Sequence, residues 1–219
     1  FENDSTQVKT FVGIDRSTLV TYGLALHSAF TFYTEYQWWW KGDSKPFTIK
    51  YEGFLNDESY GVDKIGHFYI SYTLFHGTYE LLRWGNIRDD RAVALSFAIP
   101  MFHALAVEFV DGFTRYRFSP DDLLFNSMGV MYAWLQIRYP SLQNVTVKWS
   151  YFPSGKTQFD QGFYITDDYD GHIYWLSFTL HNMLPENFKH YWPKYLNLSI
   201  GYGANNVYQN SQEQPLRKF

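Results

Sequence analysis

The 219 residues carry a net charge of −4, with 18 Lys and Arg against 22 Asp and Glu and no basic run. A nucleic-acid partner would want clustered Lys and Arg, so none is expected. Cysteine is absent, which excludes a disulfide framework, a thiolate zinc site and a cysteine nucleophile.

A chain of this length buries one core, or one core with an appendage. Its aromatic content is high, 21%, from 19 Tyr, 20 Phe and 8 Trp, while charged residues make up 18%, below the usual value of about 25%. Tyr and Trp suit places where one end of a side chain is apolar and the other wet, as in interfaces and membrane belts. A tyrosine-rich core is the other reading. An opening at Phe1 without Met is what removal of a signal peptide would leave, so export is expected. A lipid anchor would need a cysteine at a mature start, and these residues contain none.

Residues 1–17 are polar and read as loosely held. A first helix starts at Ser17 as N-cap, with Leu19, Val20, Leu24, Leu26, Ala29 and Phe30, and stops near Lys41-Gly42. Trp38, Trp39 and Trp40 at its end point in different directions and cannot share one core. They are expected either under the following loop or as a membrane or partner contact. Residues 43–62 read as loop, with a short strand around Phe47–Tyr51.

Helix two is expected from Asp63 to Trp84, ending at Gly85-Asn86. Helix three follows from Asp89 to Gly112 with a kink at Pro100. Helix four opens on Ser119-Pro120-Asp121-Asp122, with Ser119 as N-cap, Pro120 at N1 and Asp122 completing a shortened capping box. It runs to about Ile137. Beyond Pro140 the pattern alternates in strand fashion over Val145–Trp149 and Leu196–Tyr202. The expected fold is therefore mainly α: a bundle of about four helices, with a smaller β-containing or irregular C-terminal part. Residues 1–140 form the helical domain, and 141–219 an extension packed on it.

The most apolar run, Ala92–Val107, is shorter than the roughly 20 residues a span needs and contains Ser96, Pro100 and His103. The mean hydropathy of −0.34 also argues against a polytopic membrane protein. Core helices in a protein lying against a membrane are expected.

Polar groups recur at helical spacing. Asp63 and His67 are i,i+4, so the carboxylate could orient the imidazole; Glu108 and Asp111 are i,i+3, and Asp122 and Asn126 are i,i+4. His103 lies two turns before Asp111 on roughly the same face. Antiparallel helices with short links bring the three pairs to one end of the bundle. A polar cluster of Asp63, Lys64, His67, Glu108, Asp111, Asp122 and Asn126 follows from that geometry. Carboxylates at a helix C-terminus oppose its dipole, so Glu108 and Asp111 need compensation from Lys64, Arg88, Arg91, Arg115, Arg117 or a cation. A capped helix start with a satisfied histidine is the plainer reading of Asp63 and His67.

The same residues resemble a family. Asp63-Lys64-Ile65-Gly66-His67-Phe68, then Glu108-Phe109-Val110-Asp111, then Ser119-Pro120-Asp121-Asp122 with Asn126 and Gly129, are similar in order and spacing to YfiM-like envelope proteins. Those are predicted periplasmic or outer-membrane lipoproteins of unknown function. A more distant likeness is to VanZ-like membrane proteins, and the C-terminal third looks like that of longer, Bacteroidota-type members. The motif core spans 63–136. The resemblance implies the periplasm or outer membrane of a Gram-negative bacterium.

Two functions stay open from sequence. One is a non-catalytic envelope protein at the outer membrane, an accessory subunit of a larger membrane assembly or a protein on a lipid surface, its cluster locking three helix ends. The other is a metal-dependent hydrolase or transferase acting on an envelope lipid or glycan. There His67, Glu108, Asp111 and Asp122 would be catalytic groups or metal ligands. Histidine with carboxylates suits Zn²⁺ or Mn²⁺, and carboxylates with Asn126 suit Ca²⁺ or Mg²⁺. No G-x-S-x-G occurs, which disfavours serine hydrolase chemistry.

Overall fold

The structure, a computed structural model, describes residues 10–54, 56–155 and 165–207. It is mainly α. A two-stranded hairpin, β1 (Thr10–Phe11) and β2 (Ile14–Asp15), leads into α1 (Arg16–Glu35), which tightens into a π-helical turn at Tyr36–Trp40. Three long helices follow, α2 (Val62–Trp84), α3 (Asp89–Asp111) and α4 (Pro120–Arg138). The C-terminal part holds β3 (Val145–Tyr151), β4 (His172–Phe178), the short helices α5 (Leu180–Met183) and α6 (Glu186–Lys189), and β5 (Leu198–Tyr202). Its three strands form an antiparallel sheet in the order β3-β4-β5, with Val145 opposite Phe178 and Tyr174 opposite Tyr202.

Residues 10–15 pair as a hairpin rather than lying loose, and residues 1–9 lie outside the described residues. The N-cap of α1 is Asp15, whose carboxylate accepts from the Ser17 hydroxyl, so Ser17 already lies inside the helix. No strand forms at 47–51. Ile49 makes only an isolated parallel bridge to Phe118, because a single extended segment there finds one helix-linking loop and no sheet. The α3 helix spans Asp89–Asp111 with Pro100 inside it.

Local chemistry sets where α2 begins. Asp57 accepts from the Ser59 amide at 2.9 Å and the Gly61 amide at 3.2 Å, and the Ser59 hydroxyl accepts from the Asp63 amide at 2.9 Å. Gly61 takes a left-handed φ of 80° to enter the helix. The α2 and α4 helices share the most extensive contact among the described elements. A Cβ on Gly129 would stand 2.1 Å from the Phe68 carbonyl oxygen, so only glycine lets the two backbones meet. Around that contact Tyr72, Phe75, Val130 and Ala133 form the main core, and Val20, Leu82 and Ala92 a second one.

The remaining helix faces are less covered. The α3 helix is long and apolar enough to cross a membrane, yet only 28% of its most apolar stretch is buried. Phe102, Leu105 and Phe109 project outward from it, as do Tyr22, Leu26 and Phe30 from α1. The expectation of core helices is therefore corrected for α3. One face of it packs on α2 and α4, while the sheet lies against α2 and leaves the outward face of α3 uncovered among the described residues.

Candidate functional site

The starts of α2 and α4 and the end of α3 meet, and their side chains line one cavity of about 370 Å³. Lys64, fully buried, occupies the centre of the charge pattern. Its Nζ lies 2.6 Å from Asp122 Oδ1 and 3.3 Å from both Asp63 Oδ2 and Glu52 Oε2. Burial disfavours its charge, but Asp63 and Asp122 outweigh that and raise its pKa far above the ordinary lysine value. Burial would likewise raise Asp63, yet His67 and Lys64 hold that carboxyl down at about 2. Tyr169 from the C-terminal part donates to Asp63 Oδ1 at 2.8 Å, tying the extension to the cluster.

His67 stands beside these groups. Its Nε2 is 3.7 Å from Asp63 Oδ1 and 3.9 Å from Asp122 Oδ1, too far for a hydrogen bond to either. The expected orienting role of Asp63 therefore passes to Asn126, whose side-chain amide is 3.2 Å from His67 Nδ1. Ser71 in turn donates to Asn126 Oδ1 at 2.7 Å. With that amide orientation His67 Nδ1 accepts and Nε2 carries the proton. Reversing the amide, with Ser71 accepting, aims the Nε2 lone pair at the two carboxylates instead. Burial lowers the imidazole pKa, but Asp63, Asp122 and Glu108 more than offset it, so the net shift is upward.

Glu108 and Asp111 complete the wall without an Arg or Lys partner among the described residues. Arg115 pairs with Asp43 and Arg88 with Asp90, so neither neutralises the α3 C-terminus. Glu108 accepts the Ser119 amide at 2.9 Å, and Asp111 the Trp40 indole N–H at 2.7 Å. Compensation comes instead from protonation. Burial pushes Glu108 up to about 8, with His67 opposing and Asp122 adding. Burial pushes Asp111 up to about 7 against the Trp40 hydrogen bond.

The three tryptophans divide, as their spacing requires. Trp40 is buried on Asp111, and Trp39 lines the cavity. Only Trp38 is exposed, so the expected membrane or partner contact is corrected for Trp40, whose indole is committed to the cluster. The π-helical turn explains the split, since it shifts the angular spacing of Tyr36–Trp40. The capping box is corrected too. Ser119 Oγ accepts from the Asp122 amide at 3.2 Å as expected, but the Ser119 amide goes to Glu108 and not to Asp122.

Sequence reasoning missed Glu35. It ends α1, is buried, and its Oε1 lies 2.8 Å from His103 Nε2 on α3; both line the same cavity. The available signal was its position, an acid closing a helix with no other charge after Arg16.

Chemically, Asp63, His67 and Asp122 offer ligand atoms within 4.8 Å of one another, a nitrogen and two carboxylate oxygens on the cavity wall. That set suits Zn²⁺ or Mn²⁺. Lys64, touching both carboxylates, is the competing cation. Ile70, Ala104 and Val107 add apolar side chains to the same lining.

Residues 51–138 match a family described as predicted periplasmic lipoprotein, DUF2279. The matched segment is somewhat under half of the chain and contains every member of the polar cluster. The match agrees with the expected localisation in the periplasm or outer membrane of a Gram-negative bacterium, and the protein is accordingly a cell-envelope protein. No curated protein and no solved structure matches the chain.

Proposed function

We propose that the cavity is the site of a metal-dependent hydrolase or transferase acting on an envelope lipid or glycan. One observation carries this reading: the three ligand atoms of Asp63, His67 and Asp122 converge on a cavity whose lining mixes charged groups with apolar side chains. A divalent cation held there would supply Lewis acidity. Glu108, whose carboxyl pKa is pushed up by burial, would be the proton donor, and the apolar part of the lining would seat a lipid segment. Incubating the protein and Mn²⁺ with an envelope lipid extract, then reading products by mass spectrometry, tests it. The expected result is metal-dependent conversion that His67→Ala abolishes. Equal product with and without protein overturns it.

A second reading is favoured by the bare apolar faces of α1 and α3. On it the protein is a non-catalytic accessory subunit of an outer-membrane assembly, with Lys64 and its carboxylates as a structural lock. The finer likeness to YfiM-like and VanZ-like proteins belongs with either reading. Both place the exposed faces against lipid or a membrane partner, and co-purification from solubilised membranes separates them.

A further inference from the structure

We propose that Glu35 and His103 form a second subsite in the cavity, one that takes the protonated amine of an amphiphilic ligand. The inference gives a ligand class to the cavity of the preceding proposal and rests on that cavity being a ligand site, without requiring the metal.

Glu35 is 6% exposed. Its Oε1 is engaged by His103 Nε2 at 2.8 Å, and the His103 ring packs at 5.0 Å from that of Phe32, which fixes the pair. Its Oε2 is buried, and among the described residues no donor reaches it. A buried carboxylate oxygen without a donor is costly, and an ammonium entering the cavity that Glu35 lines would supply one once the carboxylate turns toward it. Trp39, Ala104 and Val107 line the same cavity and supply apolar surface suited to a hydrocarbon segment.

Charge selects the ligand's sign. Even with Glu108 and Asp111 protonated and the buried Lys64 counted with Lys50 and Arg117, carboxylates remain in excess around the cavity, which disfavours a phosphate or carboxylate ligand and favours a cation. The pair lies outside the grouping of Asp63, His67 and Asp122, which alone among the described residues has metal-ligand spacing. One free oxygen with a neighbouring imidazole already engaged is a poor metal site. It is a good acceptor for one N–H of an ammonium, which has two further N–H groups for other acceptors.

Calorimetric titration of the whole chain in a neutral detergent tests this with three probes of equal tail length. Dodecylamine carries N–H donors, dodecyltrimethylammonium has the charge without them, and dodecanoate has the opposite charge. The wild type is expected to bind dodecylamine at least about tenfold more tightly than either other probe, the worth of one charge-assisted hydrogen bond. Glu35→Gln, which keeps the shape and loses the charge, should weaken dodecylamine by about tenfold. Equal affinity of the wild type for all three probes overturns the proposal and needs no variant. Unchanged dodecylamine binding by a folded Glu35→Gln protein overturns it as well. Asp122→Asn separates the two proposals: it should remove Mn²⁺ binding, while the preference for dodecylamine over dodecyltrimethylammonium, two probes of equal charge, persists. Amine selectivity in a wild type that binds no metal would sustain this subsite and sink the metal reading alone.

Discussion

The Ser119 amide donates to the Glu108 carboxylate at 2.9 Å, so the first residue of one helix start is held by the last turn of the preceding helix. That contact takes the amide which a reciprocal capping box would have used. It leaves the Asp122 carboxylate free to reach Lys64 at 2.6 Å.

A pH dependence follows. The unfolded Glu108 carboxyl ionises near 4.5 and the folded one near 8; for Asp111 the corresponding values are 3.8 and about 7. Between those limits the folded state binds more protons than the unfolded state, so stability falls as pH rises. His67, raised in the fold, adds in the same direction: its contribution is present below 6.5 and lost as pH rises through the folded value. Asp63 acts oppositely, but only between about 2 and 3.8. The melting temperature should therefore drop by roughly several degrees from pH 5 to pH 8, and Glu108→Gln should flatten that slope. A slope unchanged in Glu108→Gln would rule out the protonated Glu108.

Lys64→Met should destabilise strongly. It leaves Asp63 and Asp122 without their buried ammonium, and breaking such a pair typically costs about 3–5 kcal/mol. Adding Asp122→Asn should recover part of that loss, because one uncompensated charge goes with it. Denaturant unfolding of the single and double variants gives the comparison. Strictly additive losses would mean that the two side chains do not interact.

Two glycines in the bundle should respond with opposite signs. Gly129→Ala puts a methyl 2.1 Å from the Phe68 carbonyl, a backbone atom that cannot step aside, and should cost about 1–3 kcal/mol or more. Gly77 sits exposed in α2 with nothing within 4 Å of an added Cβ, and Gly77→Ala should stabilise by about 0.5–1 kcal/mol. Thermal melts of the two proteins check both.

Much of this arrangement was legible in the residues. Ser119-Pro120 marks a helix start by capping chemistry that is local and nearly context-free, and the i,i+4 and i,i+3 pairs placed the polar groups on common faces. Partners across helices were less legible. Nothing local says that Asn126 rather than Asp63 would hold His67, or that an indole would satisfy Asp111, because those choices depend on helix rotation and on a π-helical turn. Glu35 was hidden for the same reason: its partner is 68 positions away on a helix that looks like core. The exposed face of α3 was also hidden, since an apolar run reads alike whether it meets protein or lipid.

The exposed α3 face makes its own prediction. Phe102→Glu with Leu105→Glu alters two outward side chains, 69% and 50% exposed, and surface changes of this kind usually move stability by no more than about 0.5 kcal/mol each. Association with lipid vesicles, read by flotation, should nevertheless fall sharply. Unaltered flotation would remove this face from the membrane-contact account.

The most direct test of the central claim is a calorimetric titration of the purified, metal-stripped protein with Mn²⁺. Convergence of Asp63, His67 and Asp122 predicts one bound ion per chain, abolished in His67→Ala and Asp122→Asn while both variants keep the wild-type circular dichroism. A wild-type protein that takes up no Mn²⁺ or Zn²⁺ would contradict the account, and would leave Lys64 as the cluster's own cation.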